Sequence, residues 1–340
     1  MFFFLKRGYL IFVTINILLY ASSSISKENN VANYFSGIVS FNQNYNETSY
    51  KYLKKAQSLK KVHKNYDANF VRLLILLGRF DEAISFSKSI WSEEELLFEA
   101  DLILGINYFN KNDFENAKKH FLRLNQISKY NLFFDKFFGN ILMSLVEATQ
   151  GNKADSFEYL NNTPNYYNNI KMIQNSFLLC TFDDSNTENS FKELVANDES
   201  GFSRYNFFLV NYYLHKNNSD LARITIKESR KKNPGNILIK QSEKFILKDQ
   251  HNKIKKLFNC KNTKDIMGEF FYIMANLYST DKNYQQSNFY YKVSLFLMNV
   301  VLPTASLVEL QMQNDTGISA LSFREISTRD IVSDKVTCTP

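Results

Sequence analysis

The side chains in this sequence that are best suited to chemistry are four histidines and three cysteines. The histidines are scattered along the chain, at His63, His120, His215 and His251. None belongs to a His-Glu-x-x-His pair of zinc ligands, and the sequence contains neither a glycine-rich phosphate loop nor a Gly-x-Ser-x-Gly nucleophile motif. Because His120 and His215 lie beside packing positions of helical patterns, we interpret them as surface or half-buried imidazoles whose hydrogen bonds are satisfied. We therefore predict a non-enzyme with no catalytic residue and no cofactor.

The three cysteines are Cys180, Cys260 and Cys338. They are too few and too far apart for a disulfide framework or for a metal knuckle with closely spaced ligands. Cys180 follows three apolar residues and is interpreted as a small core residue. A bond between any two of the three stays open in an oxidising compartment. No metal site is predicted.

The composition favours a helix-rich folded chain over a disordered one. The 340 residues are 44% hydrophobic and 15% aromatic, and they include only 10 Gly and 4 Pro. The formal net charge is +7, from 41 Lys and Arg against 34 Asp and Glu. The basic runs carry neither an aromatic ladder nor a nucleic-acid-binding motif, so we expect a solvated surface and no nucleic-acid partner.

The first residues have the layout of a secretory signal peptide. Lys6 and Arg7 precede an apolar run over residues 9–20, and small residues follow at Ala21 and the next three serines. The run is shorter than the roughly 20 residues of a comfortable transmembrane helix. Residues 1–26 are therefore predicted to be a cleaved signal for the periplasm or secretion. The alternative is an uncleaved inner-membrane anchor; no other membrane contact is predicted.

Residues 101–121 show a two-part pattern that is typical of two consecutive helices. Leu104, Gly105 and Tyr108 are spaced as on one helix, and Ala117 and Phe121 are spaced as on the next. Small residues at Gly105 and Ala117 allow two antiparallel helices to approach closely, while the large residues fill the space beside them. The pattern predicts a packed helix pair.

Copies of this pattern recur at intervals near 34 residues. Their small positions are predicted at Thr48, Ala83, Ser156, Ser190, Ala222 and Ser287. The copy at Ala222 also has Leu209 and Tyr213 before it and Pro234 after it, and the last copy has Ala275, Tyr278 and Tyr291. The 39 residues between Ala117 and Ser156 predict an inserted turn around residues 128–133. A degenerate copy is expected over residues 237–260.

These segments resemble the tetratricopeptide repeat family, whose first helix carries W-x2-L-G-x2-Y and whose second carries A-x3-F. The leading aromatic is missing from residues 101–121. The resemblance covers about residues 31–298. It implies an all-α solenoid of about eight antiparallel helix pairs in an exported bacterial protein. A related helical repeat would give almost the same architecture.

The resemblance also implies a concave groove, lined by the first helices, that binds another protein or a peptide. The family positions that face this groove map onto Arg72, Ile75, Ile106, Phe109, Phe207, Asn211, Tyr272 and Asn276. This set lacks the cluster of Lys, Arg and Asn with which some members hold a C-terminal carboxylate. An extended peptide or a partner helix is therefore expected.

The composition changes after Met298. Residues 299–340 contain no Tyr, one Phe and one Lys, and they show no clear helical periodicity. This segment is predicted to be an atypical tail, either disordered or the product of a frame shift or truncation.

Two functions follow from these patterns. The first is a non-catalytic protein-binding scaffold in the cell envelope. The second is the helical part of a truncated envelope enzyme, a peptidase or a glycan-processing enzyme, whose catalytic domain was lost at the tail. A minor alternative is a membrane-anchored assembly factor with an uncleaved first segment.

Overall fold

The computed structural model describes residues 30–127, 136–196 and 204–298. Within these ranges the chain forms sixteen α-helices and no strand, with adjacent helices in contact. The prediction of an all-α solenoid of about eight helix pairs is confirmed. The predicted signal peptide, the inserted turn around 128–133 and the tail 299–340 lie outside the described residues.

The helices follow one another with short connections. They are α1 (residues 30–42), α2 (Asn46–Lys55), α3 (Lys64–Leu76), α4 (Phe80–Ile90), α5 (Phe98–Asn110), α6 (Phe114–Ile127), α7 (Phe137–Thr149), α8 (Lys153–Asn161), α9 (Asn168–Thr181), α10 (Thr187–Ala196), α11 (Tyr205–His215), α12 (Ser219–Lys232), α13 (Ile237–Leu247), α14 (His251–Lys255), α15 (Thr263–Thr280) and α16 (Tyr284–Met298). Short 3-10 turns follow α2 and precede α9. In the described ranges we find no helix with the length and apolar character needed to cross a bilayer.

All eight helix pairs turn in the same way. In each pair the first helix is followed by a residue with positive φ, and the next backbone N–H donates to the carbonyl five residues earlier at 2.8–2.9 Å. This is the Schellman helix end, which favours residues that tolerate a left-handed backbone. The eight turn residues are Asn44, Gly78, Asn112, Gly151, Asp183, Asn217, Asp249 and Lys282. Seven of the eight are Gly, Asn or Asp.

A small buried residue follows most turns at a fixed distance. Five residues after the turn residue stand Ser49, Ala83, Ala117, Ser156, Ala222, Ile254 and Ser287, all with 0% exposed surface. In the fifth pair, α10 begins four residues after the turn residue Asp183, instead of two residues as in the other pairs. The corresponding small residue, Ser190, therefore stands seven residues after Asp183. Ile254 departs from the small type, in the pair whose second helix has only 5 residues.

One register prediction is wrong. Thr48 is exposed, and the adjacent Ser49 is buried and donates its hydroxyl to the Gly37 carbonyl at 2.9 Å. The interval to Ala83 is therefore 34 residues rather than 35. The two residues could not be distinguished from the sequence, because Thr48 and Ser49 are adjacent and both have small hydroxyl side chains.

The small residues lie where two helices touch. Ser156 on α8 donates its hydroxyl to the Ser144 carbonyl on α7 at 2.9 Å, and the hydroxyls of Ser190 and Ser176 are 2.7 Å apart. In the pair α5–α6 a Cβ atom added to Gly105 would overlap the Phe121 ring. A larger side chain at any of these points would separate the helices.

The other predicted packing residues are also mostly inside. Leu104, Phe121, Leu209, Tyr213, Ala275 and Tyr291 are at most 3% exposed. Tyr108 and Tyr278 are half-buried, while Pro234 is exposed, two residues beyond the end of α12.

Contacts divide the chain into two compact units. The first runs up to Ala100 and contains α1 to α4, and the second starts at Asp101 and contains α6 to α16 together with most of α5. In the second unit α15 contacts α7 and α9 as well as its partner α16. A repeat that contacts only its neighbours would not make these long-range contacts.

Candidate partner-binding surface

Five of the eight residues predicted to line a groove are buried in the folded chain. Ile75, Ile106, Phe109, Phe207 and Asn211 have at most 3% of their surface exposed. A partner could reach them only by displacing side chains of the chain itself. The three that stay accessible are Arg72, Tyr272 and Asn276.

Asn211 on α11 has an internal role. Its side-chain amide donates to the carbonyls of Ile254 and Phe258, both at 3.0 Å. These carbonyls belong to α14 and to the segment after it, and His215 contacts the same Phe258 carbonyl at 3.3 Å. Asn211 therefore holds the short helix α14 against α11, with its hydrogen-bond donors directed away from solvent.

Helix α15 covers part of α7 in the second unit. The Phe270 ring lies 5.6 Å from Phe137 and 5.7 Å from Phe138, and Tyr290 on α16 stacks on Phe138 at 5.7 Å. At the other end of α7, the hydroxyls of Thr149 and Thr263 are 2.6 Å apart. Because the two ends match in opposite order, α15 runs antiparallel to α7. The chain's own last helix pair thus covers this part of α7.

A disulfide ties the same region to α9. Cys180 near the end of α9 is bonded to Cys260, which precedes α15, across 80 residues of sequence. The Thr181 hydroxyl donates to the Cys260 carbonyl at 2.8 Å, and the Lys261 ammonium donates to the Thr181 carbonyl at 2.9 Å. Asp183 adds ion pairs with Lys261 and Lys216, and these lower its pKa below the usual value. The sequence left the pairing of the cysteines open.

The accessible part of α15 contains the Tyr272 ring, which contacts Arg204. Tyr272 and Asn276 are four residues apart and share one face of the helix. The Arg204 guanidinium lies 4.0 Å from the centre of the Tyr272 ring and makes two hydrogen bonds of 2.8 Å to Glu269. Glu269 is buried, whereas the Arg204 side chain keeps 30% of its surface exposed. We call Arg204, Tyr272 and Asn276 the α15 face.

In the first unit, Arg72 on α3 is accessible but paired. Its guanidinium forms an ion pair with Glu99, whose side chain is 7% exposed against 27% for Arg72. A buried carboxylate requires such a partner. Arg72 is thus partly committed to holding Glu99, which reduces its freedom to bind an external group.

Asp101, His120 and Arg123 form a buried cluster in the second unit. Its Asp and His are residue types that also occur in catalytic pairs, but here they lie beneath the surface. The Asp101 carboxylate is 2.8 Å from His120 Nδ1 and 2.8 Å from Arg123 Nε, and the Tyr108 ring stacks on His120 at 5.5 Å. All three charged or ionisable side chains are less than 10% exposed. Since they join α5 to α6 beneath the surface, they act as an internal polar clamp. Among the described residues, no three His, Cys, Asp or Glu side chains are grouped to hold a metal ion.

Two residues of the α15 face, Tyr272 and Asn276, were predicted from the repeat pattern, whereas Arg204 and its partner Glu269 were not. Arg204 and Glu269 are 65 residues apart, and the spacing rule of the repeats contains no information on such a pair. A long-range contact of this kind becomes visible only in the folded chain.

Comparisons with known proteins leave the family unassigned. No protein-family model and no curated protein matches this sequence.

Proposed function

We propose that this protein is a non-catalytic scaffold of the tetratricopeptide-repeat type that binds another protein or a peptide in the bacterial cell envelope. The observation that carries the proposal is the uniform construction of the eight helix pairs. Each has the same left-handed turn, and six of the eight have a small buried residue five positions after it. Tandem helix pairs of this kind serve as binding surfaces rather than as sites of bond chemistry.

The α15 face is the proposed contact surface. Aromatic, guanidinium and amide groups are the types enriched where proteins recognise one another. Here the Arg204 guanidinium is already held by Glu269 and Tyr272, so little side-chain entropy is lost when a partner binds. The residues buried beneath α15 serve as its support and not as contacts.

Export is supported by the cysteine pair. A bond between Cys180 and Cys260 persists in an oxidising compartment and is rare in the reducing cytosol. This agrees with the signal peptide expected over residues 1–26. N-terminal sequencing of the mature protein tests export, with a new terminus expected near residues 22–27; an intact Met1 in the membrane fraction would instead support the anchor.

Affinity capture with the full chain tests the binding function. The bait is the mature protein, exposed to an envelope fraction, and retained proteins are identified by mass spectrometry. The variant Tyr272→Ala/Asn276→Ala is expected to lose a partner that wild type retains. The matched control Tyr284→Ala/Asn252→Ala removes the same residue types at exposed positions elsewhere and should keep it. Circular dichroism must show that both variants are folded. Equal retention by all three proteins would exclude the α15 face.

A further inference from the structure

Helix α1 carries a stripe of exposed apolar side chains. Val31, Phe35 and Val39 have 46%, 61% and 55% of their surface exposed. Their four-residue spacing places them on one face of the helix. Large exposed apolar groups that line up in this way indicate a binding surface more strongly than the same groups scattered singly.

The opposite side of α1 is well packed. The Tyr34 ring lies 4.9 Å from His63 and 6.3 Å from Tyr66, and Phe41 is 2% exposed. The Gly37 carbonyl accepts the Ser49 hydroxyl of α2. Helix α1 is thus fixed on α2 and α3, and the stripe is presented on a firm support.

The helix has no charge at all. Residues 30–42 contain no Asp, Glu, Lys, Arg or His, and the nearest charged residues in sequence are Glu28 and Glu47. The terminal helix of a repeat array normally has a polar outer face. In a chain of net charge +7, this helix is a place where two copies can meet without repulsion between like charges. Helices that lie on membranes usually carry Lys and Arg beside their apolar face, and α1 has neither.

We propose that the exposed face of α1 pairs with the same face of a second copy of this chain. The stripe is symmetric about Phe35. An antiparallel pairing about a two-fold axis therefore places Phe35 against Phe35 of the second copy, and Val31 against Val39 of the second copy. The small neighbours Ala32 and Ser36 allow the helices to approach to about 8–10 Å.

The interface is small, which sets the strength of the dimer. Thirteen residues make a helix of about 20 Å, so the contact lies at the low end of specific interfaces. A contact of this size is expected to give a weak, reversible dimer. It leaves the α15 face of each copy available, so the inference does not depend on the identity of the bound partner.

Sedimentation equilibrium of the full chain over a range of micromolar concentrations tests the pairing. Wild type is expected to show a monomer–dimer equilibrium, and Phe35→Glu should weaken it at least about tenfold because like charges then face each other. Ile224→Glu on α12 is the matched control, since Ile224 is 52% exposed and lies on another helix. An equimolar mixture of Phe35→Glu and Phe35→Lys should restore a dimer.

Cysteine cross-linking tests the register, in a background with Cys338→Ser. Phe35→Cys alone should form a covalent dimer on mild oxidation. Val31→Cys alone should not, whereas Val31→Cys mixed with Val39→Cys should. A wild type that is monomeric throughout overturns the proposal and leaves residues 1–29, a lipid surface or a different protein as the cover of α1. A dimer unaffected by Phe35→Glu overturns it as well.

Discussion

Asp265 shows how one side chain sets the start of a helix. Its carboxylate accepts the Asn259 backbone N–H at 2.9 Å and the Asn262 side-chain amide at 2.8 Å, which shapes the loop before α15. Burial raises the pKa of Asp265 from 3.8 to about 6, against the opposing effect of the Asn259 hydrogen bond. The folded chain therefore binds this proton more tightly than the unfolded chain does.

That shift predicts a pH dependence of stability with a definite sign. The folded-state pKa is raised, so the stabilising effect of protonation is complete below about pH 4 and is lost as the pH rises through about 6. Relative to Asp265→Asn, wild type should gain up to about 3 kcal/mol of unfolding free energy between pH 7 and pH 4. Urea unfolding of both proteins across this range measures the difference, and other carboxylates cancel because both proteins share them. A difference that is constant with pH would refute the assignment.

The orientation of the Asn211 side chain shows what cannot be predicted from local sequence spacing. The repeat pattern places Asn211 on a first helix and predicts that its side chain faces a bound partner. The amide instead satisfies the carbonyls of Ile254 and Phe258. The sequence cannot distinguish these roles, because an asparagine that binds a ligand and one that binds a distant backbone have the same local spacing.

At the scale of elements, the helix pair is the part that local rules determine. The turn needs a residue that tolerates positive φ, and the close approach of the helices needs a small residue five positions later. Both requirements fall within about twenty residues, so they leave a pattern that can be recognised. Helix count, pairing and most small positions were therefore predictable. Ile254 and the short α14 were not, because that copy departs from the pattern.

Gly105 provides a test of the packing rule. Gly105→Ala should destabilise the chain by about 1–3 kcal/mol, because the added Cβ overlaps the fully buried Phe121 ring, which outweighs the better helix propensity of alanine. Gly235→Ala is the matched control: a Cβ there meets nothing within 4 Å, and its φ is not positive. Denaturant midpoints of the two variants should differ clearly. If they coincide, the close approach of α5 and α6 is not a determinant of stability.

At the scale of the whole molecule, the repeats do not act as independent neighbours. Thr149 meets Thr263 across 114 residues, and Lys264 donates to the Asn110 carbonyl across 154 residues at 3.1 Å. No rule with a 34-residue period contains such contacts. This is the physical reason why the contact of α15 with α7 could not be predicted from the repeat spacing.

The disulfide should stabilise this long-range arrangement. Closing a loop of 80 residues contributes about 2–4 kcal/mol, so Cys260→Ser or reduction should lower the unfolding free energy by that amount. Cys338→Ser should leave it unchanged, since Cys338 takes no part in the bond. Unfolding with and without reductant measures the effect, and mass spectrometry before reduction counts free thiols. Two free thiols at Cys180 and Cys260 in the mature protein would contradict the structure.

The position of α15 also dictates an order of events during synthesis. A simple repeat array can complete each helix pair as soon as the next one has been made, from the first to the last. Here the rings of Phe137 and Phe138 are buried in part by Phe270, which is synthesised more than 130 residues later. Until α15 has been made, these two rings lack that cover, and contacts between residues so far apart in sequence slow folding and leave apolar surface open to aggregation. With the export proposed above, a chaperone and a thiol oxidase of the receiving compartment are therefore expected to raise the yield of folded molecules.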